Sequence, residues 1–236
     1  MAQQFPAYND TPKLPDSEYH VHDSERPQPP HVSVSEPVQT GPPSDATVLF
    51  DESGLDRWEH RNGDPVDWNV NEGNLIVEPG TDDIQTKSPI GDCQLHIEWR
   101  TAEDLPDTWD RGNSGVFLQN RYEVQVFDSS ADRIYADGHA GAIYGQRPPK
   151  VNPCRSPGEW QSFDIVWHGP RFDDDGMTEK ATLTLLFNGA LVHDETELYG
   201  PTEHKGVGSI ESHGPAPLRL QEHGDRVEFR NIWYRD

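Results

Sequence analysis

The stretch Gln94-Leu95-His96-Ile97-Glu98-Trp99-Arg100 decides the fold class, because Leu95, Ile97 and Trp99 alternate strictly with His96, Glu98 and Arg100. Side chains two apart on a strand share a face, so one face here is core and the other polar. The same period recurs at 122–126, 162–168, 218–221 and 228–233. From Thr47 onward, short apolar runs are punctuated by Gly, Pro, Asn and Asp, and helical periodicity is nearly absent. Residues 183–187, Asn188-Gly189 and residues 190–193 read as a hairpin on an Asn-Gly turn. The pattern predicts an all-β, two-sheet antiparallel sandwich of the jelly-roll kind. Leu95, Ile97, Trp99, Val124, Val126, Phe163, Ile165, Trp167, Phe229 and Trp233 are expected to face the core. Their polar neighbours Glu98, Arg100, Glu123 and Gln125 are expected to meet Gln221, His223 and Arg230 on one concave face.

Upstream of this pattern, residues 1–44 hold nine of the 21 prolines and almost no large aliphatic residues. Such a segment buries too little apolar surface to offset its ordering entropy, which predicts a disordered Pro-rich tail at 1–44 and one folded domain at 45–236. The 236 residues suit one all-β domain. With 42 acidic against 19 basic residues, the formal charge is -23, which repels phosphate backbones and anionic lipid; neither nucleic acid nor a membrane is an expected partner. Only five of the basic residues are lysine, a balance suited to staying hydrated at high salt, with a halophilic source and a merely acidic protein as the alternatives. Met1-Ala2-Gln3-Gln4-Phe5-Pro6 has no basic region or apolar run of a secretory signal. A soluble cytoplasmic protein is expected for the sequence as given, and a periplasmic or secreted one if a leader was trimmed. Two cysteines, Cys93 and Cys154, allow one disulfide or two free thiols.

Read in order, the chain carries Val48-Leu49-Phe50-Asp51, Leu55-Asp56-Arg57-Trp58, Trp68-Asn69-Val70, Gly73-Asn74-Leu75 and Gly112-Asn113-Ser114-Gly115-Val116-Phe117-Leu118. Next come Tyr122-Glu123-Val124-Gln125-Val126-Phe127-Asp128, Gly141-Ala142-Ile143-Tyr144-Gly145, Gly158-Glu159-Trp160 and Phe187-Asn188-Gly189. Leu220-Gln221-Glu222-His223-Gly224 and Phe229-Arg230-Asn231-Ile232 close the series. No single landmark is specific, but the ordered set resembles the 3-keto-disaccharide hydrolase family of the concanavalin A-like lectin/glucanase superfamily, from about Thr47 to Asp236. The resemblance implies a carbohydrate substrate and cleavage of 3-keto-glycosides.

A 3-keto sugar has an acidified C2 proton. Cleavage by C2 proton removal, expulsion of the C1 substituent and hydration needs a base near neutral pKa, a cationic or metal electrophile and an acid. By chemical type, His223 is the base, Arg100 or Arg230 holds the enolate, and Glu98 or Glu123 is the acid; a divalent metal is the alternative electrophile. Glu123, Gln125 and Asp128 form Glu-x-Gln-x-x-Asp, where glucanases of similar fold carry Glu-x-Asp-x-x-Glu. The central Gln and shorter distal Asp spoil the closely spaced carboxylate pair of double displacement. Asn113 and Ser114, with Gly115, shape a loop where a sugar approaches backbone, or a tight turn. Tyr144 stacks on a sugar or packs in the core, and Asp137 and His139 supply polar contacts at the rim. Asp173-Asp174-Asp175 lacks the spacing of a calcium loop and reads as a solvated turn. A non-catalytic carbohydrate-binding module and an ordinary glucanase-type hydrolase remain alternatives. The sequence sets no oligomeric state.

Overall fold

The computed structural model describes residues 5, 8–35, 41–52, 54–131 and 134–236. Among these are fifteen strands and no α-helix. The first eight are β1 (Thr47–Phe50), β2 (Trp58–His60), β3 (Asn69–Asn71), β4 (Asn74–Ile76), β5 (Ile84–Thr86), β6 (Cys93–Thr101), β7 (Ser114–Leu118) and β8 (Tyr122–Val126). They are followed by β9 (Gln161–His168), β10 (Arg171–Asp173), β11 (Gly176–Glu179), β12 (Thr182–Phe187), β13 (Ala190–Glu197), β14 (Arg219–Leu220) and β15 (Val227–Arg235). One sheet has the order β13-β12-β9-β6-β15-β4-β3 with β1 also on β15, and the other has the order β2-β5-β14-β7-β8. All pairings between these strands are antiparallel. The apolar faces of both sheets enclose one core, to which Trp99, Phe163, Trp167 and Phe229 contribute from the larger sheet and Val116, Val124 and Leu220 from the smaller. This is the expected sandwich.

Nine of the ten expected core residues belong to that cluster, and Trp233 does not. Asn231 has φ +48, and the register slips between Arg230, opposite Glu98, and Trp233, opposite His96. This bulge inserts one residue into β15 and swaps the faces beyond it. Ile232 enters the core, while Trp233 is buried by stacking on His96 at 5.1 Å.

The N-terminal segment departs further from expectation. Residues 1–4, 6, 7 and 36–40 lie outside the described residues, but 8–35 pack on the sandwich, with Leu14, Val21 and His22 all buried. Thr11 Oγ1 donates to the Val21 carbonyl at 2.6 Å, Arg26 Nη1 to the Gln146 carbonyl at 3.2 Å, and Val32 N to the Asn152 carbonyl at 3.0 Å. Docking here combines a few buried apolar side chains with hydrogen bonds to the sandwich, and prolines with fixed φ lower the entropy lost on ordering. Apolar content alone is blind to the hydrogen bonds and to the prolines. Cys93 and Cys154 are free thiols, and Asp173-Asp174-Asp175 closes the exposed β10–β11 hairpin, with Asp175 N donating to Asp173 Oδ1.

Candidate functional site

On the outer face of the smaller sheet, the registers Phe117↔Glu123 and Arg219↔Phe117 line up Glu123, Phe117 and Arg219 across β8, β7 and β14. The neighbouring row brings Gln125 opposite Gly115, whose carbonyl accepts from Gln221 N at 3.0 Å. Val124, Val116 and Leu220 point the other way into the core. The edge of β8 is closed by backbone pairing: Tyr144 N donates to the Glu123 carbonyl and Gln125 N to the Ala142 carbonyl. Thr202 Oγ1 accepts from Glu123 N at 2.9 Å, which ties the 199–206 loop to the same edge. These elements enclose a pocket of about 270 Å³ lined by Asn113, Phe117, Glu123, Gln125, Tyr144, Thr202, His204, Arg219, Gln221 and His223.

Glu123 is 5 % exposed. Its carboxyl lies so close to the β7 backbone that a Cβ on Gly115 would stand 2.5 Å from Glu123 Oε1. Burial pushes the carboxyl up to about 8, against the pull of the Arg219 guanidinium and with some help from Asp83. Arg219 stacks 3.5 Å over the Phe117 ring and is ion-paired to Asp83. Two polar atoms of these pocket-lining residues, Arg219 Nε and Gln125 Oε1, are buried without a partner among the described residues. A buried donor and a buried acceptor left unsatisfied each carry a desolvation cost. Tyr144 shares a 2.8 Å hydroxyl contact with Tyr135 and reaches His204 Nδ1 at 3.1 Å. Burial, then the neighbouring His22, lowers the His204 pKa.

Of the residues singled out from sequence, Glu123, Gln125, Asn113, Tyr144, Gln221 and His223 line this pocket. Ser114 is buried and anchors it from beneath, its hydroxyl donating to the Gln221 carbonyl at 2.7 Å. Glu98, Arg100 and Arg230 do not join them, because they lie on the outer face of the larger sheet, across the core. There Arg230 Nε donates to Glu98 Oε2 at 2.6 Å, Arg100 pairs with Glu228, and both guanidiniums cover the Trp160 ring. Asp137 and His139 are interior residues, not rim contacts, and Asp128 is interior too and does not line the pocket with Glu123 and Gln125. Asp128 binds Arg111 and Ser130, Asp137 binds His22 and Arg26, and His139 binds Gln28.

Arg219 and Phe117 are not among the site residues expected from sequence, although period-two alternation puts Arg219 on the face of Gln221 and Phe117 opposite Val116 and Leu118. Thr202 and His204 sit in a loop with no periodic signal. Among the described residues, no three His, Cys, Asp or Glu side chains group as metal ligands.

A family model described as a 3-keto-alpha-glucoside-1,2-lyase-like domain matches residues 45–235. A solved protein from Parabacteroides distasonis, provisionally described as a glycosyl hydrolase, is 39% identical, with a TM-score of 0.81 over 89% of this chain and 92% of its own. A second protein of that description and organism is 19% identical over 81% of this chain and 94% of its own, and its TM-score of 0.60 shows likeness of fold alone. No curated protein matches the sequence.

Proposed function

Because the chain belongs to the family of 3-keto-alpha-glucoside-1,2-lyase-like domains, we propose that it cleaves 3-keto-glycosides in the Glu123 pocket by elimination and hydration. The observation that carries this reading is the pairing, in one pocket, of a carboxyl pushed up to about 8 with an arginine whose Nε has no partner. A base takes the C2 proton, the C2–H electrons move into the C3 carbonyl, and the enolate oxygen gains negative charge. The C1–O bond then breaks as the enolate collapses, and the leaving oxygen takes a proton. Water adds across the resulting enone to give the free 3-keto sugar.

Arg219 is the cation for the enolate oxygen, replacing Arg100 and Arg230 in that role. Glu123, protonated at neutral pH, gives its proton to the leaving oxygen. His223, exposed at the pocket mouth, is the base. Gln125 Oε1 and Asn113 take hydroxyl contacts, and Tyr144 offers a ring edge. Retaining double displacement is disfavoured because it needs two carboxyls about 5–5.5 Å apart, and Glu123 is the one carboxylate lining the described pocket. Incubation with 3-keto-trehalose beside trehalose tests the reading. Release of 3-keto-glucose from the keto substrate alone supports it; hydrolysis of trehalose, or binding of both without turnover, overturns it.

A further inference from the structure

We infer that residues 8–35 buttress the sugar site from behind and that His22 is a positioning residue holding the Tyr144–His204 wall in place. The inference rests on the reading of the Glu123 pocket as that site. His22 is fully buried, 115 residues from the Asp137 carboxylate that it grips twice. Its backbone N donates to Asp137 Oδ2 at 3.0 Å and its ring Nδ1 lies 3.2 Å from Asp137 Oδ1. The other ring nitrogen, Nε2, bonds the main-chain carbonyl of His204. Both ring nitrogens thus face oxygen atoms, one on each of two separate chain segments.

One imidazole therefore clamps two separate stretches of the pocket. Asp137 begins the segment that ends in Tyr144, with Gly145 N donating to the Asp137 carbonyl at 2.9 Å. His204 belongs to the loop that Thr202 ties to Glu123. The His22 ring stacks on Tyr135 at 3.8 Å and stands 5.0 Å from Tyr144 and 5.6 Å from His204. Tyr135 bonds Tyr144, and Tyr144 bonds His204, so the contacts starting at His22 end in two side chains that line the pocket. Arg26 adds a 3.5 Å ion pair to Asp137, and Tyr8 covers the cluster with its ring 6.0 Å from His22 and 6.3 Å from His204. A segment that served stability alone would have no need to end at the pocket lining. A wall displaced by even about an ångström costs catalysis heavily.

The test uses the full-length chain with His22→Ala, His22→Gln, which keeps a side-chain N–H, and Leu183→Ala, a buried change on the other sheet that serves as a stability control. Three quantities are measured well below each melting temperature: turnover of 3-keto-trehalose, melting temperature, and the His204 ring resonances assigned by comparison with His204→Gln. His22→Ala should move the His204 resonances and lower kcat/KM roughly 10- to 100-fold, His22→Gln should recover part of both, and Leu183→Ala should lower the melting temperature without either change. If His22→Ala does not fold, His22→Gln compared with wild type carries the same measurements. Unmoved His204 resonances, or a loss of turnover matched by Leu183→Ala, overturns the inference. If wild type cleaves no 3-keto-glycoside while the His204 resonances still move in His22→Ala, the proposed reaction fails and the positioning role stands.

Discussion

Arg230 and Glu98 face each other across the β6–β15 pair, Nε to Oε2 at 2.6 Å, on the side of the sandwich turned away from the Glu123 pocket. Burial alone would raise the Glu98 carboxyl, but hydrogen bonds from His96, Asn231 and Arg230 outweigh it and hold the group at about 2. Burial alone would lower the His96 imidazole, but its contacts with Asp164 and then with Glu98 outweigh it and hold the group at about 9. We predict a structural role for the pair. Glu98→Gln should leave turnover intact and cost about 1–3 kcal/mol, seen as a fall of a few degrees in melting temperature.

The pH dependence of that loss has a definite sign. Glu98 falls from 4.5 unfolded to about 2 folded, so its contribution is complete above pH 4.5 and is lost as pH drops through 2. His96 rises from 6.5 to about 9, so its contribution is complete below pH 6.5 and is lost as pH climbs through 9. Thermal melts of wild type and Glu98→Gln should differ most between pH 4.5 and 6.5 and converge toward pH 2; a gap that stays constant across this range would rule out the ion pair as its source.

Glu123→Gln should behave in the opposite way. A carboxyl raised from 4.5 to about 8 favours the folded state when protonated and opposes it when ionised. The neutral amide should therefore melt higher than wild type, by a margin that grows from pH 4.5 to 8, while turnover is abolished and sugar binding is kept. In wild type, turnover should fall as pH rises through about 8, when the leaving oxygen loses its proton donor. A profile flat to pH 9 would remove Glu123 as the acid.

Arg219→Met should lower kcat by about 100- to 1000-fold with a smaller change in KM, as for loss of a donor to a developing oxyanion. Arg219→Lys should recover little, because a flexible ammonium reproduces neither the planar guanidinium's stacking on Phe117 nor its simultaneous contact with Asp83. Steady-state kinetics on 3-keto-trehalose checks both, and a change confined to KM would make Arg219 a binding residue.

Gly115→Ala tests the close approach of Glu123 to β7. The added methyl would meet Glu123 Oε1 at 2.5 Å and a Phe117 ring carbon at 2.8 Å, so the carboxyl must move. Turnover should fall at least about tenfold with circular dichroism unchanged. Unaltered turnover would mean that the carboxyl's placement over Gly115 is immaterial.

The chain by itself determined its secondary structure and most of its core. Alternation in Gln94-Leu95-His96-Ile97-Glu98-Trp99-Arg100 is a local property, and burying one face of each strand forces two sheets to stack. Alternation also marked Glu123, Gln125 and Gln221, because polar groups on a strand lie opposite its core residues, whereas Asn113, Tyr144 and His223 stood out as loop positions and by chemical type. Only the tertiary structure decided which polar faces meet. Alternation states that Glu98 and Glu123 each point away from the core, and two sheets packed by their apolar sides turn those outer faces in opposite directions, so Glu98 and Arg230 are parted from the pocket. Arg219 and not Arg230 lines the pocket because β14 pairs with β7 through a contact about a hundred residues apart in sequence, which no local period encodes. The bulge at Asn231 and the docking of residues 8–35 escaped for a related reason: both depend on hydrogen bonds to distant partners, whereas composition and periodicity report only how apolar surface is distributed along the chain.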